Sequence, residues 1–76
     1  MQLSELSIGQ KAKITALIGG DKAYRQRLVA MGFVPGTELT LTRIAPFGDP
    51  VEIEIRGTRL TLRKHEAGLL QLEVTV

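Results

Sequence analysis

Apolar and polar residues alternate most cleanly at Val51-Glu52-Ile53-Glu54-Ile55, which puts three β-branched side chains on one face and two carboxylates on the other. Alternation with a period of two marks a half-buried strand. A strand over 38–44 follows from the same reasoning: Leu39 and Leu41 alternate with Thr40 and Thr42 until Arg43 and Ile44 break the pattern, where a bulge or the strand end is expected. Residues 56–58 predict a short hairpin turn, after which 59–63 returns antiparallel and brings Arg59, Thr61 or Arg63 to Glu52 and Glu54. Residues 13–18 predict a first strand stopped by Gly19-Gly20, and Leu70, Leu72 and Val74 supply the inward face of a last one. Before the first strand, Leu3, Leu6 and Ile8 predict a turn or helical piece that ends at Gly9 and plugs one end of the core.

Between the first two strands the period becomes helical. Tyr24, Leu28 and Met31 share one face, at offsets of four and three, with Lys22, Arg25, Gln26 and Val29 opposite. Asp21 is placed to cap this helix, and Gly32 follows as the residue where a left-handed conformation costs glycine nothing. A helix over 22–31 is too short to stand alone and has to be held on a sheet. Val34-Pro35-Gly36-Thr37 fits a type II turn, Ala45-Pro46-Phe47-Gly48-Asp49-Pro50 is a loop, and residues 64–68 form a turn or a single helical turn. The order is a strand, an insertion carrying a helix, a three-strand meander and a closing strand. It predicts an all-β domain with a short helix, a small and partly open SH3-like barrel of about five strands in which closure protects the strand edges.

Length and composition narrow the functions available. A chain of 76 residues is one domain with a thin core and little volume for a deep cavity. It has no cysteine, so disulfides, thiol nucleophiles and zinc-thiolate sites are excluded. No apolar run approaches the roughly 20 residues that span a bilayer, and Met1-Gln2-Leu3-Ser4-Glu5 lacks the regions of a secretion signal, so a cytoplasmic location is expected. The net charge of +2 is too small for a dense nucleic-acid-binding face. Lys22, Arg25, Arg27, Arg43, Arg56, Arg59, Arg63 and Lys64 are nonetheless concentrated in the middle of the chain, which suits an acidic partner surface as well as a solvated face.

The chemical inventory points away from catalysis. Gly19-Gly20-Asp21-Lys22 lacks the G-x-x-x-x-G-K-[ST] spacing of a phosphate loop, and its glycines read as a chain turn. His65 and Glu66, with Glu52 and Glu54, offer metal-ligand types, but adjacent strand residues point apart and the glutamates have arginine neighbours. A surface histidine in a turn is the simpler reading. Proline-rich peptide recognition needs an aromatic groove, and the aromatic residues are Tyr24, Phe33 and Phe47 alone, with Tyr24 assigned to the core. No catalytic, cofactor or metal residue is assigned. A contact surface is assigned to the helix, the turn after it and the proline loop: Lys22, Arg25, Val29, Phe33, Pro35, Arg43, Pro46, Phe47 and Asp49. For Phe33 and Phe47, capping the barrel ends is the competing role.

Arg25, Leu28, Met31-Gly32-Phe33-Val34-Pro35-Gly36 fill the pattern R-x-x-L-x-x-[ML]-G-hydrophobic-x-P-G, and Pro46-Phe47-Gly48-Asp49-Pro50 follows as P-x-G-D-P. Both stretches, in this order and spacing, resemble the FeoA family across nearly the whole length, with the extent expected of a stand-alone member. The resemblance implies an SH3-like barrel in the bacterial cytoplasm. It also implies an accessory role in ferrous iron transport with FeoB, a membrane protein that carries a GTP-binding domain and a permease. The same barrel is similar to the C-terminal domain of iron-dependent repressors, though no DNA-binding helix pair precedes it here. A protein without hydrolytic machinery or an iron-ligand set acts by contact, shifting a partner between conformations it favours unequally. Two rival readings are a nucleic-acid-binding barrel using the hairpin arginines and a metal sensor using His65. Weak self-association through a strand edge or Phe47 is also left open.

Overall fold

Leu39 and Leu41 on one strand and Ile53 and Ile55 on the next are all buried, as their alternation requires, and the sheet grows outward from this pair. The computed structural model describes residues 1–75. After a 3-10 turn at Leu3–Glu5 come β1 (Lys11–Leu17), α1 (Lys22–Ala30), β2 (Glu38–Ile44), β3 (Val51–Ile55), β4 (Thr58–Leu62), α2 (Lys64–Ala67) and β5 (Leu70–Val74). The strands form one antiparallel sheet in the order β4-β3-β2-β1-β5. It curls around its core without closing: β4 and β5 are the two edges and do not pair.

Local sequence accounts for most boundaries. The expected irregularity in β2 is a register shift between Leu41 and Arg43, and Thr42 turns its hydroxyl to the Glu52 carbonyl at 3.0 Å. The hairpin after β3 is tighter than the three-residue turn expected from sequence. Ile55 pairs directly with Thr58, and Arg56 (φ +52°) and Gly57 (φ +78°) make a two-residue turn whose twist matches the flanking strands. β1 starts two residues earlier than expected, at Lys11, because Ala12 is an inward residue packed under β2 and β5. Alanine carries little strand signal of its own. Ile18 falls outside the strand and is exposed.

The core contains Leu3, Leu6, Ala12, Ile14, Leu28, Phe33, Leu39, Leu41, Ile53, Ile55, Leu62, Leu69, Leu70 and Leu72. Each larger side chain here contributes about 1.5–3 kcal/mol through burial. Leu3 and Leu6 plug one end as expected, whereas Ile8 projects into solvent.

Helix α1 is held at both ends by backbone chemistry. Asp21 Oδ1 accepts from the Tyr24 amide at 2.9 Å. At the other end the Phe33 N–H donates to the Leu28 carbonyl and the Gly32 N–H to the Val29 carbonyl, both at 3.0 Å. This paired closure requires the left-handed φ of +106° at Gly32 and brings Phe33 back over Leu28. Those two residues are the apolar anchor of the helix, at 0% and 1% exposure. Met31, expected on the buried face, is the C-cap residue and is exposed, because the chain reverses before its side chain can reach the sheet. The type II turn is present, with Gly36 at φ +93° and the Thr37 N–H donating to the Val34 carbonyl at 3.1 Å.

Candidate functional site

The loop between β2 and β3 is tied at three points. The Ala45 N–H donates to the Pro50 carbonyl at 3.1 Å, and the Gly48 N–H donates to the Ala45 carbonyl at 2.8 Å. Asp49 Oδ1 accepts from the Lys64 N–H at 2.8 Å and so caps the first turn of α2 from across the fold. The start of α2 is further closed by Glu66 Oε1, which accepts from the Arg63 N–H at 3.0 Å. These bonds anchor the loop on both sides of its tip, where the Phe47 ring stands almost wholly in water, at 98% exposure.

Below Phe47 lies an open groove of about 440 Å³ between the 3-10 turn, the loop and α2. Leu3, Leu6 and Leu41 floor it, Ile44 and Ala67 form its sides, and Lys64 stands at the rim. A smaller hollow of about 220 Å³, on the other side of the same loop, holds Arg43 and Pro46.

The contact surface expected from sequence thus divides. Phe47 and Asp49 line the groove, and Arg43 and Pro46 line the adjoining hollow. Lys22, Arg25, Val29, Phe33 and Pro35 line neither. Phe33 is corrected outright: it is a core residue with no exposed surface, placed there by the closure of α1. Arg25 is occupied internally, its Nη1 donating to the Gly19 carbonyl at 2.8 Å and the Gly20 carbonyl at 2.9 Å, which fastens α1 to the turn before it. Asp49 is likewise occupied as the α2 cap. Lys22, Val29 and Pro35 are exposed on the helix side.

Sequence reasoning missed the floor of the groove. Leu3, Leu6 and Leu41 carried only a core signal, and Ala67 carried none. It also missed the link between the helices, where Tyr24 Oη and His65 Nε2 are 3.3 Å apart and the rings meet edge to face at 5.6 Å. Tyr24 is accordingly half-buried against α2 rather than enclosed in the core.

The residues considered for metal do not converge. Among the described residues no three His, Asp or Glu side chains gather into a metal-binding group. His65 faces Tyr24, Glu66 binds the Arg63 amide, and Glu52 and Glu54 lie 3.9 and 3.8 Å from Arg59. No helix among the described residues is long and apolar enough to cross a membrane.

Comparison with known proteins agrees with this geometry. The family model described as FeoA domain matches residues 1–74. A Porphyromonas gingivalis protein, the Fe(2+) transport protein A/Fe(2+) transporter FeoB fusion protein, is 36% identical over 74 residues. The match covers 97% of this chain and 9% of that relative. The solution structure of iron(II) transport protein A from Clostridium thermocellum superposes with a TM-score of 0.90 at 43% identity, covering 99% of this chain and 46% of that one. FeoA of Stenotrophomonas maltophilia complexed with zinc, described as a prokaryotic SH3 domain protein, gives a TM-score of 0.82 at 30% identity, with 96% and 89% of the two chains covered. An open five-stranded SH3-like sheet, the P-F-G-D-P loop and a family match over almost the whole chain lead to one assignment: the chain belongs to the FeoA family.

Proposed function

We propose that this chain is a cytoplasmic accessory protein of bacterial ferrous iron uptake and works by direct contact with FeoB, without catalysis of its own. The observation that carries this reading is the Porphyromonas gingivalis relative, in which a FeoA-like segment and a Fe(2+) transporter FeoB form one polypeptide. A covalent link of this kind holds two partners at an effective concentration of roughly millimolar, which is useful to domains that act on each other. Contact alters a transporter only through unequal affinity for its states, and a tenfold preference corresponds to about 1.4 kcal/mol.

The contact surface in this reading is the groove with Phe47 at its lip, flanked by Pro46, Arg43 and Lys64. Phe47 is the anchor, because an exposed aromatic on a loop tied on both sides of its tip loses little conformational freedom when a partner covers it. Lys22, Val29 and Pro35 on the helix side are secondary to it. The zinc in the Stenotrophomonas maltophilia relative is not carried over, since the metal-ligand types here face other partners.

The test is the affinity of purified chain for FeoB in lipid nanodiscs. Phe47→Ala should weaken binding about 30-fold, equivalent to about 2 kcal/mol. Val29→Glu should weaken it less than threefold or so, as expected of a peripheral position. Full affinity in the Phe47 variant would reject this surface, and no binding by the unaltered chain would reject the contact mechanism.

A further inference from the structure

The open sheet leaves one strand edge chemically unfinished. Ile55 and Thr58 flank the two-residue turn as a hydrogen-bonded pair, so Thr58, Leu60 and Leu62 direct their N–H and C=O groups to β3. Arg59 and Thr61 then direct theirs outward. Among the described residues no backbone group beyond the β3 ladder meets them. The stretch ends at Arg63, whose N–H goes to Glu66 Oε1 and whose carbonyl accepts from the Glu66 and Ala67 amides. The opposite edge of the sheet is partly covered, since the Leu72 N–H donates to the Met1 carbonyl at 2.8 Å. On β4, Leu60 packs against the core yet is only half-buried, because no strand lies beside it.

We propose that the outer edge of β4 is a strand-addition site for an extended acidic segment of a partner polypeptide, one that alternates carboxylates with β-branched residues. This goes beyond the contact at Phe47 and does not depend on it. The charge around the edge selects the occupant. Arg56, Arg59 and Arg63 all lie on or beside β4; Arg56 and Arg63 form no ion pair among the described residues, and Arg59 reaches Glu52 and Glu54 only at 3.9 and 3.8 Å. The inner neighbour of β4 already has the complementary chemistry, with Glu54 opposite Arg59 and Glu52 opposite Thr61. A second strand of that kind would place a carboxylate beside Arg59 and an apolar residue over the open side of Leu60. A second copy of β4 is the wrong occupant. Two of the registers that use Arg59 and Thr61 set Arg59 against Arg59 or Arg63, where like charges are destabilising, and the third sets it against Thr61, which brings no carboxylate to the arginines of this edge.

The test uses isotope-labelled full chain and a synthetic peptide carrying the sequence of residues 51–55 between terminal glutamates. Amide hydrogen exchange and chemical shifts are followed as peptide is added. Exchange of the Arg59 and Thr61 amides should slow by about tenfold or more on binding, from near the unprotected rate, while Thr58, Leu60 and Leu62 remain protected throughout. The same peptide N-methylated at every residue, which has no N–H to donate from either edge and carries methyl groups that keep the strands apart, should not bind, and neither should a version with lysine in place of glutamate. Equal binding of the N-methylated peptide would overturn the proposal, as would protection of Arg59 and Thr61 in the free chain. Preference for the lysine peptide, or peptide-independent protection that grows with protein concentration, would overturn the choice of occupant.

Discussion

Two phenylalanines in this chain have opposite surroundings, and replacing each with alanine separates core from contact surface in one experiment. Phe33 is fully buried, closes over Leu28 at the end of α1 and has no exposed surface. Removing such a ring costs about 3–5 kcal/mol, from lost transfer energy and the cavity left behind. Phe47 is 98% exposed, so its replacement should change stability by no more than about 0.5 kcal/mol. A domain of 76 residues has a total stability of roughly 4–11 kcal/mol, so the first loss is a large fraction of the whole. Urea unfolding followed by far-ultraviolet circular dichroism gives both numbers. Phe33→Ala should lower the midpoint severely or leave the chain unfolded, and its thermal midpoint should fall by about 12 °C or more. Phe47→Ala should unfold like the parent while losing affinity for FeoB. Similar stability losses in both variants would refute the burial argument, and a stable Phe33→Ala protein would refute the part assigned to the closure of α1.

Three further outcomes follow from single contacts. Asp49→Ala removes the cap on α2 and should cost about 1 kcal/mol by urea unfolding, with faster amide exchange at Lys64. Gly32→Ala adds a Cβ that meets nothing within 4 Å, so its cost is confined to the backbone at φ +106° and should be about 1–2 kcal/mol in the same assay. Arg25→Ala frees the Gly19 and Gly20 carbonyls, which remain open to water, and should cost about 1 kcal/mol while leaving FeoB affinity unchanged.

The meander and the register break in β2 were legible in the sequence because period-two alternation is set by local geometry. So was the end of α1 at Gly32. A glycine that closes a helix in this way brings the next apolar residue back against the helix, and that signal already placed Phe33 in the core. Arg25 read as a free cation because its carbonyl partners lie upstream in an irregular turn, where no periodicity reveals them. The Asp49–Lys64 and Tyr24–His65 contacts join segments far apart in the chain, and they depend on how the sheet curls. The groove was hidden for the same reason: its floor is made of core leucines from separate elements that only the folded chain brings together.

The most direct test of action by contact is solution NMR of the labelled chain titrated with FeoB in lipid nanodiscs, with empty nanodiscs as the control. Signals from residues 44–49 and the groove should broaden first and selectively, with no change on empty discs. Unaltered spectra at saturating FeoB, or broadening centred on α1 with the loop untouched, would contradict it.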